Sequence, residues 1–469
     1  MYLDHIHIRH LKLLRDFRLE LTQPNDTPRM WTVIIGRNGT AKTSILQAIA
    51  LAAAGSRQVN VLARSVVAHL VDRRARQPME IDAVFRFSPG CVERADLHPT
   101  LGRAPGDDAR LHSILSLKYG QSTLAGRSTY TDVSGEMELI GPIQLTESGF
   151  DPLDEARADD RKLWFVAGYG VGRFLPAPQS RPPLVQPSIE RLEPLFSNTT
   201  ALTSLRFLDN LTKEKARRFT KALRDTLIQV EDLIPDLVGI ELTGPGGVTK
   251  SRTLIDKDRF TLKVGAHEHK FPAVALSHGY QSTLAWLADL IGHVMWEADE
   301  AIEAKDIEGL VLIDEIDLYL HPTWQASLIP ALRRTFPKVQ FIATTHSPAV
   351  LSSLSPDEIV VVDQHEETGD VEQFFHDPET GELVPGSALE EKSHAPDPRS
   401  MTGTDVYRTW FGLDRLTLNP HGARLRMYLQ LATDPFRSDE ENDELQKIIQ
   451  SFERDGISRP REPVERERS

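Results

Sequence analysis

Trp31-Thr32-Val33-Ile34-Ile35 runs into Gly36-Arg37-Asn38-Gly39-Thr40-Ala41-Lys42-Thr43-Ser44, and beyond it Ile45, Leu46, Ile49 and Leu51 to Ala54 recur with a helical period as far as Gly55. An apolar β-branched run, a glycine-rich turn and a helix in direct succession are the context of a phosphate-binding loop. In such a loop backbone N–H groups point inward around phosphate oxygens, and the helix N-terminus adds positive potential. On this reading Gly36, Arg37, Asn38, Gly39, Thr40, Ala41, Lys42, Thr43 and Ser44 cradle the phosphates of ATP. Lys42 bridges the β- and γ-phosphates, and the Thr43 hydroxyl ligates Mg²⁺. The usual pattern has glycine immediately before the lysine, whereas this chain has Ala41. A methyl group there is expected to fit only if φ stays negative. An ordinary Gly/Asn turn before a helix would look the same locally, so the downstream segments decide.

Gly309-Leu310-Val311-Leu312-Ile313 is an apolar strand ending in Asp314-Glu315. A strand that stops at the phosphate site delivers Asp314 to the Mg²⁺ shell and leaves Glu315 to polarise the attacking water. Val339 to Ala343 is a second buried strand, leading into Thr344-Thr345-His346-Ser347-Pro348. A neutral His346 imidazole there can hydrogen-bond the γ-phosphate and report its presence. Ser277-His278-Gly279 opens an amphipathic helix carrying Leu284, Trp286, Leu287, Leu290 and Ile291, and a Ser-x-Gly helix start offers an anion site. Taken singly, each segment has a plain structural alternative: an acidic turn, a structural histidine, a helix cap. Their order after a phosphate loop is what carries the functional reading.

At 469 residues, 40% hydrophobic and 26% charged, the chain has the balance of an ordinary folded protein. Its length suits two to four units of roughly 100–200 residues, or one domain interrupted by insertions. The lone cysteine, Cys91, excludes a disulfide scaffold and a Cys-based zinc site and points to a reducing compartment. Met1 to Arg9 lacks an apolar signal core, and no stretch reads as the ~18 apolar residues of a membrane span, so a cytoplasmic protein without membrane contact is expected. The net charge of −14 is uneven: Lys+Arg against Asp+Glu is 32 to 29 over residues 1–250 and 22 to 39 over residues 251–469. That excludes a uniformly basic nucleic-acid coat but not a local basic groove. Lys213, Lys215, Arg217, Arg218, Lys221 and Arg224, with Phe219 and Leu223 between them, form the densest basic segment; it is a solvated helix face or a nucleic-acid contact.

Strands are expected near 3–21, at Glu80–Phe87, Leu163–Ala167 and Glu358–Val362, and helices over 189–235, Leu284–Ala304 and Trp324–Thr335. Ser88 to Asp108 and Glu147 to Asp160 read as loops and Pro176 to Pro187 as a linker. Near the end, Val406 to Leu413 is an aromatic-rich amphipathic segment and Glu444–Phe452 a short helix, suited to docking on the head or on a partner.

Phosphate loop, Ser-x-Gly helix start, Asp-Glu strand and histidine strand, in this order, resemble the ATP-binding heads of the ABC superfamily, in particular the SMC, RecF and OLD group. The fold class expected is therefore α/β: an ABC-type P-loop head with a mixed sheet, an inserted helical lobe or short arm, and a mostly helical C-terminal extension. The corresponding division is 1–55 and 270–362 for the head, 56–188 for a β-rich insertion, 189–269 for the helical lobe, and 363–469 for the extension. The resemblance implies that two heads sandwich two ATP molecules, with Ser277 and Gly279 acting across the interface and Asp317 in the loop that couples the sites. Ile316-Asp317-Leu318-Tyr319-Leu320-His321-Pro322, with Trp164 to Gly170 and Arg173, looks more specifically like the PtuA family of ATPase subunits in Septu-type antiphage systems, including retron-linked relatives. That likeness implies a homodimer or higher homo-oligomer working with a separately encoded nuclease, HNH-type favoured, with DNA or an RNA-containing complex as further ligands it leaves open. The glutamine usual at the end of the strand before the helical lobe is replaced by Tyr169 and Gly170. About 270 residues separate Lys42 from Asp314, too few for a chromosome-organising coiled coil. No apolar strand ending in Asp-x-Asp follows Val362, which argues against a nuclease domain of the OLD type in the same chain. A RecF-like DNA repair ATPase and a nucleotide-gated scaffold with little turnover are the alternatives.

Overall fold

One sheet is built from the first 131 residues alone, and a second interleaves strands of both chain halves. The computed structural model describes residues 1–64, 66–74, 76–89, 110–131, 151–157, 164–176, 184–229, 234, 236–242, 258–298, 301–377, 380–388, 395–412, 424, 427–428, 430–432 and 437–455. Strands β1 (Tyr2–Leu11), β2 (Leu14–Glu20), β4 (Met79–Arg86), β5 (Arg110–Leu117) and β6 (Ala125–Thr131) form an antiparallel sheet in the order β2-β1-β4-β5-β6. Its strands alternate as half-buried strands must: Ile6, Ile8, Phe17, Leu19, Ile81, Phe85 and Leu115 face inward. The second sheet has the order β15-β14-β13-β3-β12-β11-β7. Here β7 is Val166–Tyr169, β11 Gly309–Ile313, β12 Val339–Thr344, β3 Trp31–Ile35 and β13 Ile359–Gln364, all parallel. β14 (Val371–His376) and β15 (Leu383–Pro385) continue it antiparallel, so the region after residue 362 contributes two strands before its helices.

Helix α1 (Lys42–Ala63) shares one core with both sheets, including Ile34, Leu310, Leu312, Ile342 and Val360 of the parallel one. This explains why it is apolar on nearly every face. Contrary to the expectation of no span-like stretch, α1 is long and apolar enough by length and composition to cross a membrane, but 72% of that window is buried inside the protein. The helix also runs past Gly55, where it was expected to end. Gly55 breaks the helical geometry (φ 74°, ψ 163°), and the Asp154 carboxylate accepts from Ser56 Oγ (2.6 Å) and Arg57 N (3.2 Å), capping the part that resumes.

Further differences have equally local causes. Helix α2 (Pro152–Arg157) lies inside the expected loop Glu147–Asp160; Asp151 accepts the N–H groups of Leu153 (3.1 Å) and Asp154 (3.2 Å), and Pro152 opens the helix, an N-cap-then-proline start that the loop reading passed over. Most of the loop expected at Ser88–Asp108, residues 177–183 of the linker, and Leu163 lie outside the described residues. Within the region expected to be a helical lobe, α3 (Lys213–Arg224) is followed by a three-stranded antiparallel sheet of β8 (Leu237–Glu241), β9 (Arg259–Val264) and β10 (His267–Phe271). β9 and β10 are joined by the two-residue turn Gly265-Ala266 with Gly265 at φ +63°, a hairpin signal. Helices α4 (His278–Glu297) and α5 (Pro322–Thr335) complete the part that positions the site. Contacts divide the chain at Gly403/Thr404; α6 spans Gly403–Phe411, and in the second unit α7 (Asp439–Arg454) contributes Leu445, Ile448 and Phe452 to a cluster with Tyr428 and Leu431.

Asp4 is the buried counter-charge of the antiparallel sheet. It is 5% exposed, pairs with Arg86, and accepts from Arg110 Nε at 2.7 Å. Asp4→Ala leaves two buried guanidiniums short of an acceptor and should cost about 3–5 kcal/mol in urea unfolding; a loss under about 1 kcal/mol would show that Asp26, which also contacts both arginines, suffices alone.

Candidate nucleotide-binding site

The β3–α1 turn meets the carboxyl ends of β11 and β12 around a cavity of about 310 Å³. Asn38 to Ser44, Asp314, Glu315 and His346 line it, so segments separated by some 300 residues in sequence converge there. Gly36 is required by proximity: a Cβ would sit 2.0 Å from the Val362 carbonyl oxygen of β13. Thr40 Oγ1 donates to Arg37 O (2.8 Å), closing the turn on itself. Lys42 is folded onto the same turn, its Nζ donating to Gly36 O (2.8 Å) and Arg37 O (2.7 Å). Arg37 itself is 77% exposed and pairs with Asp363 at 2.9 Å.

Ala41 departs from expectation. Its φ is +59°, so the methyl group is carried in the left-handed region rather than at negative φ. The phosphate-loop turn carries alanine in that conformation at a cost of roughly 1–2 kcal/mol.

Thr43 Oγ1 donates to Asp314 Oδ2 (2.7 Å), and Thr344 Oγ1 donates to Asp314 Oδ1 (2.7 Å) while accepting from Glu315 N (2.7 Å). A hydroxyl and one carboxylate presented together to a cavity fit Mg²⁺, which takes few protein ligands and completes its shell with water and phosphate oxygens. Consistently, no cluster of three or more His, Cys, Asp or Glu that could cage a metal exists among the described residues. Burial, and then Asp314 and Asp317, raise the Glu315 carboxyl above its usual range, as a proton acceptor requires. Burial, and then Lys42, lower His346, which keeps it neutral.

Three contributors went unassigned in the sequence reading. Lys12 lies between β1 and β2 at φ +51°, lines the cavity, and donates from Nζ to Ser44 Oγ (2.8 Å); burial lowers its pKa. Arg173, 1% exposed, donates to the carbonyls of Asp314 (2.6 Å) and Glu315 (2.7 Å). Thr344 is the third. A lysine in a hairpin turn gives no distance signal in sequence, although Lys12 beside Leu11 and Leu13 was a visible charge in an apolar run. Tyr169, at the place of the usual glutamine, is buried with its hydroxyl on Asp289 Oδ2 (3.2 Å) rather than in the cavity.

Ser277, Gly279 and Asp317 do not line this cavity. Ser277 caps α4, Gly279 is packed where a Cβ would lie 2.4 Å from Tyr319 O, and Asp317 accepts from Thr345 Oγ1. The cations of α3 are largely spent within the fold: Lys221 lies 3.0 Å from Glu303, Arg218 also contacts Glu303, and Arg224 donates to Ile240 O (3.2 Å).

Comparison with known proteins gives the following likenesses. A profile described as an AAA ATPase domain matches residues 1–124, and an AAA domain profile of the AbiEii type IV toxin–antitoxin kind matches residues 147–352. The Septu protein PtuA of Bacillus mycoides (strain KBAB4) is 28% identical over 369 residues, 78% of this chain and 41% of that protein. The chain is related to PtuA. The retron Ec83 probable ATPase of Escherichia coli is 34% identical over 151 residues, 31% of this chain and 26% of that protein. The chain thus spans about two fifths or less of the length of PtuA and of the retron protein it matches. Among solved structures, the SMC head domain from Thermotoga maritima aligns with 82% of this chain and 99% of that one at 14% identity and a TM-score of 0.40.

Ala41→Gly should relieve the left-handed strain and raise stability by about 1 kcal/mol, net of glycine's greater freedom when unfolded, in urea unfolding of the nucleotide-free chain. A drop in stability would contradict the φ assigned to this residue.

Proposed function

We propose that the chain binds and hydrolyses ATP in this cavity and that two copies close around the nucleotide to control a separately encoded nuclease in antiphage defence. One observation carries the reading: Lys42, Thr43, Asp314, Glu315 and His346, from three distant segments, surround one cavity with Thr43 and Asp314 already hydrogen-bonded at 2.7 Å. On this reading Lys42 leaves the carbonyls of Gly36 and Arg37 for the β- and γ-phosphates, and the backbone from Asn38 to Ser44 wraps the phosphate chain. When bound by Thr43 and Asp314, Mg²⁺ supplies charge neutralisation on the β- and γ-phosphate oxygens. Glu315 takes the proton of the attacking water, and neutral His346 hydrogen-bonds the γ-phosphate. Ser277 and Gly279, outside the cavity of their own copy, reach the γ-phosphate held by the other copy, and Asp317 lies in the loop between the two sites.

The head in this reading is drawn from residues 1–55 and 270–362, and the region beyond 362 offers docking surface. The lone Cys91 and the dependence on ATP support a cytoplasmic location. The relatedness to Septu and retron proteins supports the defence role and the nuclease partner. The RecF-like alternative draws less support, because α3, the densest basic segment, is paired to Glu303 and to a backbone carbonyl.

Lys42→Ala should abolish ATP binding in calorimetry. Glu315→Gln should keep ATP affinity within a few-fold, cut turnover at least ~100-fold, and trap an ATP-bound dimer visible by light scattering. Undiminished turnover in Glu315→Gln would sink the assigned role. Because Glu315 must be ionised and its pKa is raised, kcat should fall as pH drops through that raised value; measured against pH, this acidic limb should vanish in the residual activity of Glu315→Gln.

A further inference from the structure

A second cavity lies apart from the nucleotide site. It measures about 580 Å³ and lies between the segment 185–203 and α4, with Val61 at its edge. Its chemistry is opposite to that of the phosphate cavity. Among the described residues Glu190, Glu193 and Asp289 line it and no lysine or arginine does, whereas Lys12 and Lys42 line the other beside Asp314 and Glu315. A further titratable residue in the wall is His293, which burial lowers to about 3 and so keeps uncharged. Burial, and then Glu190, raise Glu193, and burial raises Asp289 to about 6, while Glu190 Oε1 accepts from Val185 N (2.8 Å) and Gln186 N (3.0 Å).

A second observation points to a missing ligand. His293 is 2% exposed, and its Nδ1 has no hydrogen-bond partner. The nearest carboxylate oxygens are Asp289 Oδ2, 3.5 Å from Nε2, and Glu297 Oε1, 3.8 Å from Nδ1, the latter already paired with Arg191. A buried polar atom left unpaired in a native fold calls for a partner. The rest of the wall mixes apolar Ile189, Pro194 and Leu202 with polar Gln186, Thr200 and Thr203. A bare metal ion suits neither that wall nor the absence of a three-ligand cluster among the described residues. The volume is that of a small-molecule pocket.

We propose that this cavity is a second binding site, for a small organic cation with an amine or guanidinium group on an apolar stem. The site is wired to the strand ends of the phosphate cavity. Asp289 accepts from Ser204 N (2.9 Å) and from the Tyr169 hydroxyl (3.2 Å). The Tyr169 carbonyl accepts from Asp314 N (2.8 Å), and Gly170 N donates to Pro194 O (3.1 Å). An occupant that pulls on Asp289 or on the Pro194 wall therefore acts on the strand neighbouring Asp314. This coupling, unlike the site itself, rests on the proposed ATP function.

Agmatine, spermidine and benzylamine, titrated calorimetrically into the nucleotide-free chain at neutral pH with butane-1,4-diol as neutral control, test the site. At least one cation should bind saturably at one per chain, and the diol should not. Glu193→Gln, which removes a half-buried charge, and Ala201→Trp, which fills the cavity from an exposed position, should each weaken that binding at least tenfold while ATP binding is retained as the check on folding. No saturable binding of any of the three, or binding that both variants leave unchanged, overturns the proposal. With the cation saturating, the Kd for ATP should shift at least threefold in the parent chain and not in Tyr169→Phe; an unshifted parent overturns the coupling. A chain that binds a cation here but never ATP would defeat the proposed function and leave the site standing.

Discussion

The Asp314 carboxylate is the tie on which the site depends. Its two oxygens accept from Thr43 at the start of α1 and from Thr344 at the end of β12, each at 2.7 Å. One side chain therefore fixes the phosphate loop against two parallel strands. Arg173 reinforces the tie from the β7 side by taking the carbonyls of Asp314 and Glu315. A fully buried guanidinium is costly unless its donors are used, and burial lowers Arg173 to about 10, which still leaves it charged. The fold accepts that cost at the one turn where a displacement would move both carboxylates.

Part of the backbone strain lies at the same place. Ala41 (φ 59°), Glu315 (φ 47°) and Tyr319 (φ 67°) are non-glycine residues in the left-handed region, two in the Asp-Glu turn and its continuation and one in the phosphate loop. Such conformations persist where surrounding contacts over-determine them. Here those contacts are the Glu315 N–H on Thr344 Oγ1 and the Ile316 N–H on the Thr344 carbonyl at 2.9 Å. The turn therefore aims the Glu315 side chain at the cavity at the expense of backbone comfort, and a relaxed turn would aim it elsewhere.

What could be read from the chain alone was local in origin. The phosphate loop, the apolar strands β3, β11 and β12 and the residues that end them are each contained in a few consecutive positions, and periodicity identifies them. The contributors that escaped are defined by pairing between distant segments. Lys12 reaches Ser44 because β1 lies in a sheet packed on α1, and Arg173 reaches Asp314 because β7 pairs with β11. The Gly265-Ala266 hairpin and the Asp151-Pro152 helix start were local signals outweighed by polar surroundings. Ala41 is instructive in the other direction: the assumption that alanine selects negative φ failed, because the tight turn between β3 and α1 overrode side-chain preference.

The charge asymmetry of the chain acquires a structural meaning from the sheet order. β3 lies between β12 and β13, so a strand of the slightly basic half is inserted among strands of the strongly acidic half. Lys12 and Lys42 are thereby brought to Asp314 and Glu315, and each group lowers the cost of burying the other. The cavity at Asp289 lies where this mixing is incomplete. Its carboxylates come from Glu190, Glu193 and α4, while the arginine close at hand, Arg191, is turned away to Glu297 and to the carbonyls of Trp164 and Val166. One cavity thus has cations available for an anionic ligand and the other is lined by carboxylates, and β7 links the two through Tyr169, whose hydroxyl donates to Asp289 and whose carbonyl accepts from Asp314 N.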